Sequence, residues 1–341
     1  MSAPEYDAIL LLSFGGPEKP EEVMPFLQNV VRGRGVPRER LLEVAEHYEH
    51  FGGRSPINDQ NRALIAALQA ELAAHGPQLP IYWGNRNWDP LLKDTLREMA
   101  DRGVNRALAF VTSAYSSYSS CRQYLQDVEA AREAIGERVP RVDKIRAFFN
   151  HPGFLEPFIE GLREALASFS PERAARAQTL FTAHSVPLSM ADGSRYVEQL
   201  EEAMRIVAEA AGAVQSRLVY QSRSGPPSVP WLEPDILDAL REIRESGKTS
   251  DVVIVPIGFV SDHLEVLYDL DVEAAGLCAE IGLTLRRVAT PGVQPKFVSM
   301  VRELIVERLD PEAPRRALGR LGASHDHCEP DCCPAPRRPS R

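Results

Sequence analysis

The sequence predicts an α/β protein made of two Rossmann-like domains, each with a mostly parallel four-stranded sheet flanked by helices. Short apolar runs alternate with longer segments whose apolar residues recur at spacings of three and four, as in amphipathic helices. This alternation indicates βαβ units, and therefore parallel sheets. The apolar runs fall into two sets of four, separated by His151-Pro152-Gly153.

Each set of four runs supplies the strands of one predicted sheet. The first set is Ala8–Ser13, Leu79–Trp83, Arg106–Thr112 and Lys144–Phe149. The second set is Gln178–Ala183, Arg217–Gln221, Asp251–Ile257 and Thr284–Ala289. The clearest helical patterns are Asn61–His75, Phe154–Ser168 and Pro295–Leu309.

A single eight-stranded sheet would fit the same alternation, but the break at His151 favours two domains. We predict an N-terminal domain over residues 1–150 and a C-terminal domain over 151–294. A crossover helix over 295–310 is expected to pack back on the first domain. A tail over 311–341 follows, in which six prolines fall and which is too poor in apolar residues to build a core.

Composition excludes several classes of protein. The chain has 341 residues, 44% of them hydrophobic, and a net charge of −9, which gives a nucleic-acid partner no electrostatic support. No window approaches the roughly 20 apolar residues of a membrane span. The acidic N-terminus does not resemble a secretory signal. We therefore predict a cytoplasmic protein with no transmembrane segment and no nucleic-acid partner.

Three common active-site motifs are missing from the sequence. The first strand ends in Ser13-Phe14-Gly15-Gly16-Pro17, which is neither a P-loop nor G-x-G-x-x-G. Glu18, Glu21 and Glu22 open the next helix, where carboxylates would repel a phosphate. No G-x-S-x-G elbow is present either. These features argue against a nucleotide-binding first domain and against a serine hydrolase.

His184 directly follows an apolar strand. The C-terminal ends of strands are where open α/β sheets hold their ligands. A neutral imidazole there can bind a metal ion or move a proton near pH 7. A loop histidine with a satisfied hydrogen bond fits the sequence equally well.

Three carboxylates recur every four residues after another apolar strand. They are Glu265, Asp269 and Glu273, and a helix would carry all three on one face. Such a face can simply be solvated, and Glu265 can pair with Asp262 as a capping box. A row of oxygen ligands also suits a divalent cation that is passed along it. The sequence leaves both interpretations open.

Several motifs together make the chain resemble the ferrochelatases, which insert ferrous iron into a porphyrin. They span about residues 6–309 in the order found in that family. They are Leu12-Ser13-Phe14-Gly15-Gly16-Pro17, Phe51-Gly52-Gly53-Arg54-Ser55-Pro56-Ile57, Phe181-Thr182-Ala183-His184-Ser185-Val186-Pro187, Tyr220-Gln221-Ser222-Arg223 with Pro230-Trp231, and Gly258-Phe259-Val260-Ser261-Asp262-His263-Leu264-Glu265. The resemblance is greatest to actinobacterial-type coproporphyrin III ferrochelatases, and it implies a chelatase fold with a porphyrin cleft between the domains.

The resemblance also implies roles for the candidate residues. His184 and Glu265 become the catalytic pair that handles the Fe²⁺ substrate and the pyrrole protons. Which of the two takes a proton stays open. Asp269 and Glu273 become metal ligands that supply the iron.

Further positions match porphyrin contacts of the family. Ser55 and Tyr124 align with substrate-binding residues, and Tyr48 and His47 fall where a bacterial subgroup has Tyr and Arg. Phe14 stands where that subgroup has a tyrosine able to ligate iron. Phenylalanine cannot ligate, so the resemblance does not extend to an axial ligand there.

The stretch Arg32–Arg40 bears on the choice of porphyrin. Its arginines suit a substrate with four propionates, although a solvated helix start explains them nearly as well. We predict coproporphyrin III as the substrate and protoporphyrin IX as the alternative. A non-catalytic haem- or iron-binding protein of the same fold is a further alternative. The resemblance also implies transient contacts with neighbouring haem-pathway enzymes.

The chain has five cysteines, three of them near its end. Some ferrochelatases hold a [2Fe–2S] cluster through one internal and three C-terminal cysteines. By that resemblance Cys121, Cys328, Cys332 and Cys333 would be the ligands. Their C-x₃-C-C spacing departs from the family, and a tail that binds zinc or nothing is the alternative. Cys278 is expected to be a small buried hydrophobe.

Overall fold

The computed structural model describes residues 5–33, 35–136, 138–225, 228–329 and 331–336. The strands are β1 (Ala8–Ser13), β2 (Ile81–Asn85), β3 (Arg106–Val111), β4 (Arg141–Lys144), β5 (Gln178–His184), β6 (Gln215–Gln221), β7 (Asp251–Val255) and β8 (Thr284–Arg287). The helices are α1 (Pro20–Val30), α2 (Arg38–His50), α3 (Ile57–His75), α4 (Leu92–Asp101), α5 (Gln123–Ile135), α6 (Pro152–Ala167), α7 (Pro171–Ala174), α8 (Leu188–Ala191), α9 (Tyr196–Ala211), α10 (Ile236–Ser246), α11 (Leu264–Val266), α12 (Ala275–Ile281) and α13 (Pro295–Leu309).

Contacts divide the chain into two compact units. The first contains residues 1–112, 124–145 and 301–314, and the second contains 113–123, 146–300 and 315–341. The short segment Ser113–Gln123 and the tail from Arg315 therefore group with the second unit. Helix α13 contributes to both units. The domain ranges predicted above remain a prediction.

The first unit is built on a four-stranded parallel sheet in the order β2-β1-β3-β4. Strand β1 is buried along its whole length because it lies between two neighbours and carries apolar residues on both faces. Leu10, Leu12, Leu96 and Met99 pack in the core on one side of this sheet. The ends of β1 and β2 lie side by side, with Ser13 paired to Asn85.

The second unit repeats this arrangement with a parallel sheet in the order β6-β5-β7-β8. Counted from the first strand of each unit, both sheets have the same strand order. Leu180, Val219, Ile254 and Leu270 belong to a core on one side of the second sheet. The predicted fold class, two four-stranded parallel sheets flanked by helices, is confirmed.

The predicted fourth strand, Lys144–Phe149, was wrong. Strand β4 ends at Lys144, and the following apolar residues lie outside the sheet. Phe148 and Phe149 are completely buried, and Phe148 packs against Phe154 with ring centroids 5.6 Å apart. An apolar run signals burial, and here the burial comes from packing against helix α6.

Two segments form π-helices. They are Tyr118–Arg122, which leads into α5, and Leu267–Ala274, which joins α11 to α12. π-Helices are rare and occur frequently at functional sites. In the described part of the chain, no helix combines the length and apolarity needed to cross a membrane.

Candidate active site

His184 and Glu265 lie close together in the second unit. His184 is the last residue of β5, and Glu265 stands in the short helix α11 that follows β7, the strand beside β5. Nε2 of His184 is 3.9 Å from Oε2 of Glu265. The carboxyl ends of neighbouring parallel strands meet at one edge of a sheet, which explains how residues far apart in sequence converge here.

The hydrogen bonds of His184 define its tautomer. Nδ1 contacts the carbonyl oxygen of Ser185, and because that oxygen can only accept, Nδ1 carries the proton. The lone pair of a neutral ring is therefore on Nε2, the atom that faces Glu265. Tyr196 of α9 donates from its hydroxyl to the carbonyl oxygen of His184, at 3.0 Å. Ring and backbone are thus both held by hydrogen bonds.

The capping-box interpretation of Glu265 was wrong. Helix α11 begins at Leu264, its N-cap is His263, and no side chain caps it. Asp262 instead binds Arg287, with Nη1 and Oδ1 3.0 Å apart. The carboxylate of Glu265 is half exposed and points to His184 instead of to its own backbone.

Asp269 and Glu273 lie on the π-helix Leu267–Ala274 and not on an α-helix. Asp269 accepts from Nε2 of Gln221 at 3.1 Å and from the hydroxyl of Ser222. Burial raises the pKa of Asp269 to about 7, although these two hydrogen bonds act in the opposite direction. Burial and the nearby Asp235 also raise the pKa of Glu273. Both carboxyls are therefore more readily protonated than carboxyls in water.

Gln221, Ser222 and His263 belong to this site, and the sequence analysis did not single them out. Gln221 is paired with His184 across β5 and β6, so strand register brings it beside His184. Ser222 has a left-handed backbone, with a φ of 61°. Burial lowers the pKa of His263, Glu265 raises it, and His184 lowers it further. All three fall within the family motifs quoted above, and they lie at the end of β6, directly after it and directly before α11, respectively.

The first unit contains the residues predicted to bind the porphyrin. Phe14 follows β1 and is 37% exposed. Its ring centroid lies 6.2 Å from that of Phe26, which in turn lies 6.0 Å from that of Tyr48. Phe26, which the sequence did not point to, thus joins two of the predicted residues in one aromatic cluster.

Tyr124 belongs to the same unit but is buried, with only 5% of its surface exposed. The guanidinium of Arg86 lies 4.6 Å from the centroid of the Tyr124 ring and 6.0 Å from that of Phe14. Arg86 is itself bound by Asp127. Burial raises the pKa of Tyr124, while Arg86 lowers it. Like Phe26, Arg86 is a residue of the first unit that the sequence did not point to.

Ser55 is buried beside the glycine turn after β1. A side chain on Gly16 would bring its Cβ to 2.7 Å from the Cβ of Ser55, so only glycine fits there. The amide of Ser55 also donates to the carbonyl oxygen of Pro17, at 2.9 Å. His47 is half-buried in the last turn of α2.

The predicted basic stretch is mostly exposed. Arg32 and Arg38 are exposed, and neither forms an ion pair with another residue in the described ranges. Arg40 is bound to Glu43, with the charged atoms 2.6 Å apart. Arg34 lies outside the described residues. Arg32 and Arg38 are therefore two exposed positive charges that no described residue neutralises in an ion pair.

The four cysteines named as cluster ligands form two thiol pairs. The Sγ atoms of Cys121 and Cys328 are 3.6 Å apart, and those of Cys332 and Cys333 are 3.7 Å apart. A hydrogen bond with Cys121 raises the pKa of Cys333, and burial raises it further. In the parts of the chain that the structure describes, no group of three or more His, Cys, Asp or Glu side chains is arranged to hold a metal ion. Cys278 is buried in the core, as expected.

A sequence model of the family described as Ferrochelatase matches residues 6–309. The chain belongs to the ferrochelatase family. It is an enzyme of the kind that inserts ferrous iron into a porphyrin, as the motifs implied.

Relatives of the ferrochelatase chain agree with this assignment. It is 57% identical to the ferrochelatase of Rhodopirellula baltica, over 98% of this chain and 96% of the relative. It is 52% identical to the coproporphyrin III ferrochelatase of Streptomyces coelicolor, over 98% and 95% of the two chains. Its fold resembles the sirohydrochlorin chelatase SirB of Bacillus subtilis subspecies spizizenii, with a TM-score of 0.52 and 10% identity over 90% and 97%. That last likeness concerns the fold alone.

Proposed function

We propose that this ferrochelatase inserts Fe²⁺ into coproporphyrin III, with His184 and Glu265 as the catalytic pair. The observation that carries the proposal is the 3.9 Å separation of His184 Nε2 and Glu265 Oε2 at the end of a parallel sheet. A basic nitrogen and a carboxylate side by side can serve both parts of the reaction. One part is removal of pyrrole protons, and the other is ligation of a divalent ion.

The reaction exchanges two protons for one iron ion and involves no change of oxidation state. Nε2 of His184 has its lone pair available because Nδ1–H is bound to Ser185, so Nε2 accepts the first pyrrole proton. The carboxylate of Glu265 stabilises the imidazolium that results. Glu265 is half exposed, and the second proton leaves to water through it.

Iron reaches this pair along the π-helix. Glu265, Asp269 and Glu273 supply oxygen atoms of the kind that a hydrated divalent cation exchanges readily. Asp269 is the most enclosed of the three and is held by Gln221 and Ser222. A buried carboxyl that is easily protonated must lose its proton when a cation binds, so uptake of iron also moves protons away from the site.

Two observations support coproporphyrin III over protoporphyrin IX. The exposed Arg32 and Arg38 provide positive charge for a substrate with four carboxylates. The relative from Streptomyces coelicolor carries coproporphyrin III in its name. Phe14, Tyr48 and Tyr124, joined through Phe26 and Arg86, are proposed porphyrin contacts of the first unit, and Ser55 and His47 complete the proposed set.

The decisive experiment measures iron insertion by the His184→Ala variant under anaerobic conditions. We expect turnover with coproporphyrin III to fall roughly a thousandfold, because the proton acceptor is lost. Porphyrin binding, measured by fluorescence quenching, should persist. His75→Ala is the control, since His75 is exposed at the end of α3. Wild-type turnover in His184→Ala would overturn the mechanism, and tight porphyrin binding without any metalation by the wild type would indicate a binding protein.

We further propose that the four cysteines hold a [2Fe–2S] cluster. Two thiolates bound to one tetrahedral metal at about 2.3 Å lie about 3.8 Å apart. The separations of 3.6 Å for Cys121 and Cys328 and 3.7 Å for Cys332 and Cys333 agree with that value. Each iron of such a cluster takes two cysteines, so pairs are the arrangement required. The cluster would supply a one-electron redox centre.

The adjacent cysteines Cys332 and Cys333 can serve one iron for a local reason. Cys333 has a left-handed backbone, with a φ of 52°, and this turn brings the two neighbouring thiols together. Such a conformation is unfavourable for a residue with a side chain, so the surrounding contacts must stabilise it. Arg122 contributes by donating to the carbonyl oxygen of Cys332, at 3.1 Å.

The cluster is tested by the absorption spectrum and by iron and sulfide analysis of anaerobically purified protein. We expect visible bands with two irons and two sulfides per chain, and their loss in Cys121→Ala. Cys278→Ala is the matched control, because Cys278 lies in the core away from the other thiols. Bound zinc, or neither metal nor sulfide, would contradict the cluster.

A further inference from the structure

We propose that the second unit carries a docking site for the described part of the chain's own C-terminal tail, residues 315–329 and 331–336, and that this site holds the tail whether or not a metal is bound. We call this site the tail dock and define it by Arg122, Arg146, Asn150 and Glu202. The inference goes beyond iron insertion and depends neither on that activity nor on the cluster.

Asn150 is the centre of the tail dock. It is completely buried, and its side-chain Nδ2 donates to the carbonyl oxygens of Leu318, at 3.1 Å, and Gly322, at 2.8 Å. Its own carbonyl oxygen accepts from the amide of Leu318, at 2.8 Å. One buried residue therefore binds three backbone groups of the tail.

Arg146 and Glu202 bind the tail on either side of Leu318. Arg146 is 2% exposed, and Nη2 donates to the carbonyl oxygen of Arg316, at 2.9 Å. Glu202 on α9 is 7% exposed, and Oε1 accepts from the amide of Arg320. Arg205 binds both carboxylate oxygens of Glu202, at 2.9 and 3.0 Å, and so fixes the acceptor in place.

These contacts do not involve the thiols. The tail contributes backbone atoms of residues 316, 318, 320 and 322. All of them precede Cys328. Buried side chains that bind backbone groups form a site for a polypeptide, so the tail is bound before its cysteines are reached.

Arg122 extends the dock to the cysteines. Its side chain donates to the carbonyl oxygens of Cys332 and Glu329, and Arg122 directly follows Cys121. Cys121 and Cys328 are 207 residues apart, and closing so long a loop is entropically costly. The hydrogen bonds of the tail dock offset this entropic cost. The four thiols are therefore held at high effective concentration before any metal binds.

Two glycines of the tail provide a matched test. Gly319 has a φ of 76°, and a Cβ on it would lie 2.2 Å from Oε1 of Glu202. Gly322 has a similar φ of 65°, but nothing lies within 4 Å of its Cβ position. Gly319→Ala therefore strains the backbone and obstructs the dock, whereas Gly322→Ala strains the backbone only. Neither residue is part of a core, so the variants are expected to fold.

The experiment is hydrogen exchange of the full chain, followed by mass spectrometry over residues 315–322. The variant Cys328→Ser, Cys332→Ser, Cys333→Ser should keep the amides of Leu318 and Arg320 protected. Gly319→Ala should exchange roughly tenfold faster than Gly322→Ala in this segment. Exchange at the rate of a free peptide in the serine variant would overturn the proposal. Equal rates in the two glycine variants would also overturn it.

Discussion

At the scale of single residues, the site combines two groups whose surroundings differ. His184 lies at a strand end with its Nδ1–H bound to Ser185, so one local hydrogen bond determines that Nε2 carries the lone pair. Asp269 is more enclosed, and burial raises its pKa to about 7. Under the proposed function, His184 accepts protons and Asp269 releases a proton when it binds a cation. Both therefore lie along the proposed iron route.

Asp269 gives a prediction about pH. Because its pKa is raised to about 7, the carboxylate is mostly protonated at pH 6 and mostly ionised at pH 8. If it ligates iron, kcat/KM for Fe²⁺ should rise over this interval. We expect Asp269→Asn to lower kcat/KM roughly tenfold at pH 8 and to flatten this part of the profile. The measurement is initial rate against iron concentration at each pH.

Asp271→Asn is the control for loss of a carboxylate from the same π-helix. Asp271 is exposed and bound to Arg287 at 2.6 and 3.0 Å, away from the proposed route. Its removal should leave the pH profile of iron uptake unchanged. A profile of Asp269→Asn that rises as steeply as that of the wild type would show that Asp269 does not act in iron uptake.

At the scale of elements, α9 connects several parts of the second unit. Tyr196 binds the carbonyl oxygen of His184, Gln199 binds Ser116 through both ends of its amide, and Glu202 binds the tail. These residues are spaced by three along the helix, so they share one side of it. The helix thus binds the end of strand β5, the segment before Cys121 and the tail.

Tyr196→Phe tests whether α9 positions His184. Loss of one buried hydrogen bond should lower the free energy of unfolding by about 1 kcal/mol. If the bond holds His184 in its reactive position, kcat should also fall, by roughly tenfold, with little change in KM. Both are measured on the same preparation, by chemical denaturation and by steady-state kinetics.

Tyr115→Phe is the matched variant for this test. The hydroxyl of Tyr115 donates to the carbonyl oxygen of Ile257, at 2.8 Å, so a similar bond is lost without touching His184. Stability should fall by a similar amount, with a smaller effect on kcat. Equal losses of kcat in both variants would reduce the role of Tyr196 to general stability.

At the scale of the whole molecule, charge distribution matters more than net charge. The chain carries −9 overall, yet Arg32 and Arg38 are exposed and form no ion pair within the described residues. An acidic protein would repel a substrate with four carboxylates unless cations stood near its binding residues. Under the proposed function, Arg32 and Arg38 would supply this local positive charge.

The double variant Arg32→Gln, Arg38→Gln tests this role. We expect KM for coproporphyrin III to rise roughly three- to tenfold, and KM for protoporphyrin IX, with two propionates, to rise less. The difference should shrink as salt screens the charges. Arg244→Gln with Lys248→Gln removes the same charge from an exposed part of the second unit. Equal effects of the two double variants would refute specific recognition.

The sequence by itself determined the alternation of strands and helices, the two parallel sheets and the position of His184 at a strand end. These features follow local rules, because hydrophobic periodicity reports which face of an element is buried. It also identified the family through ordered motifs. Its misjudgement of Lys144–Phe149 shows the limit of those rules, since burial by a sheet and burial by a helix look alike in sequence.

Tertiary structure alone decided which distant residues meet. Strand register brought Gln221 beside His184, and packing joined Phe14, Tyr48 and Tyr124 through Phe26 and Arg86. The tail was predicted to lack a core, yet Asn150 and Glu202 bind its backbone. Such contacts leave no periodic signal, because they pair single polar groups across hundreds of residues and depend on how both partners fold.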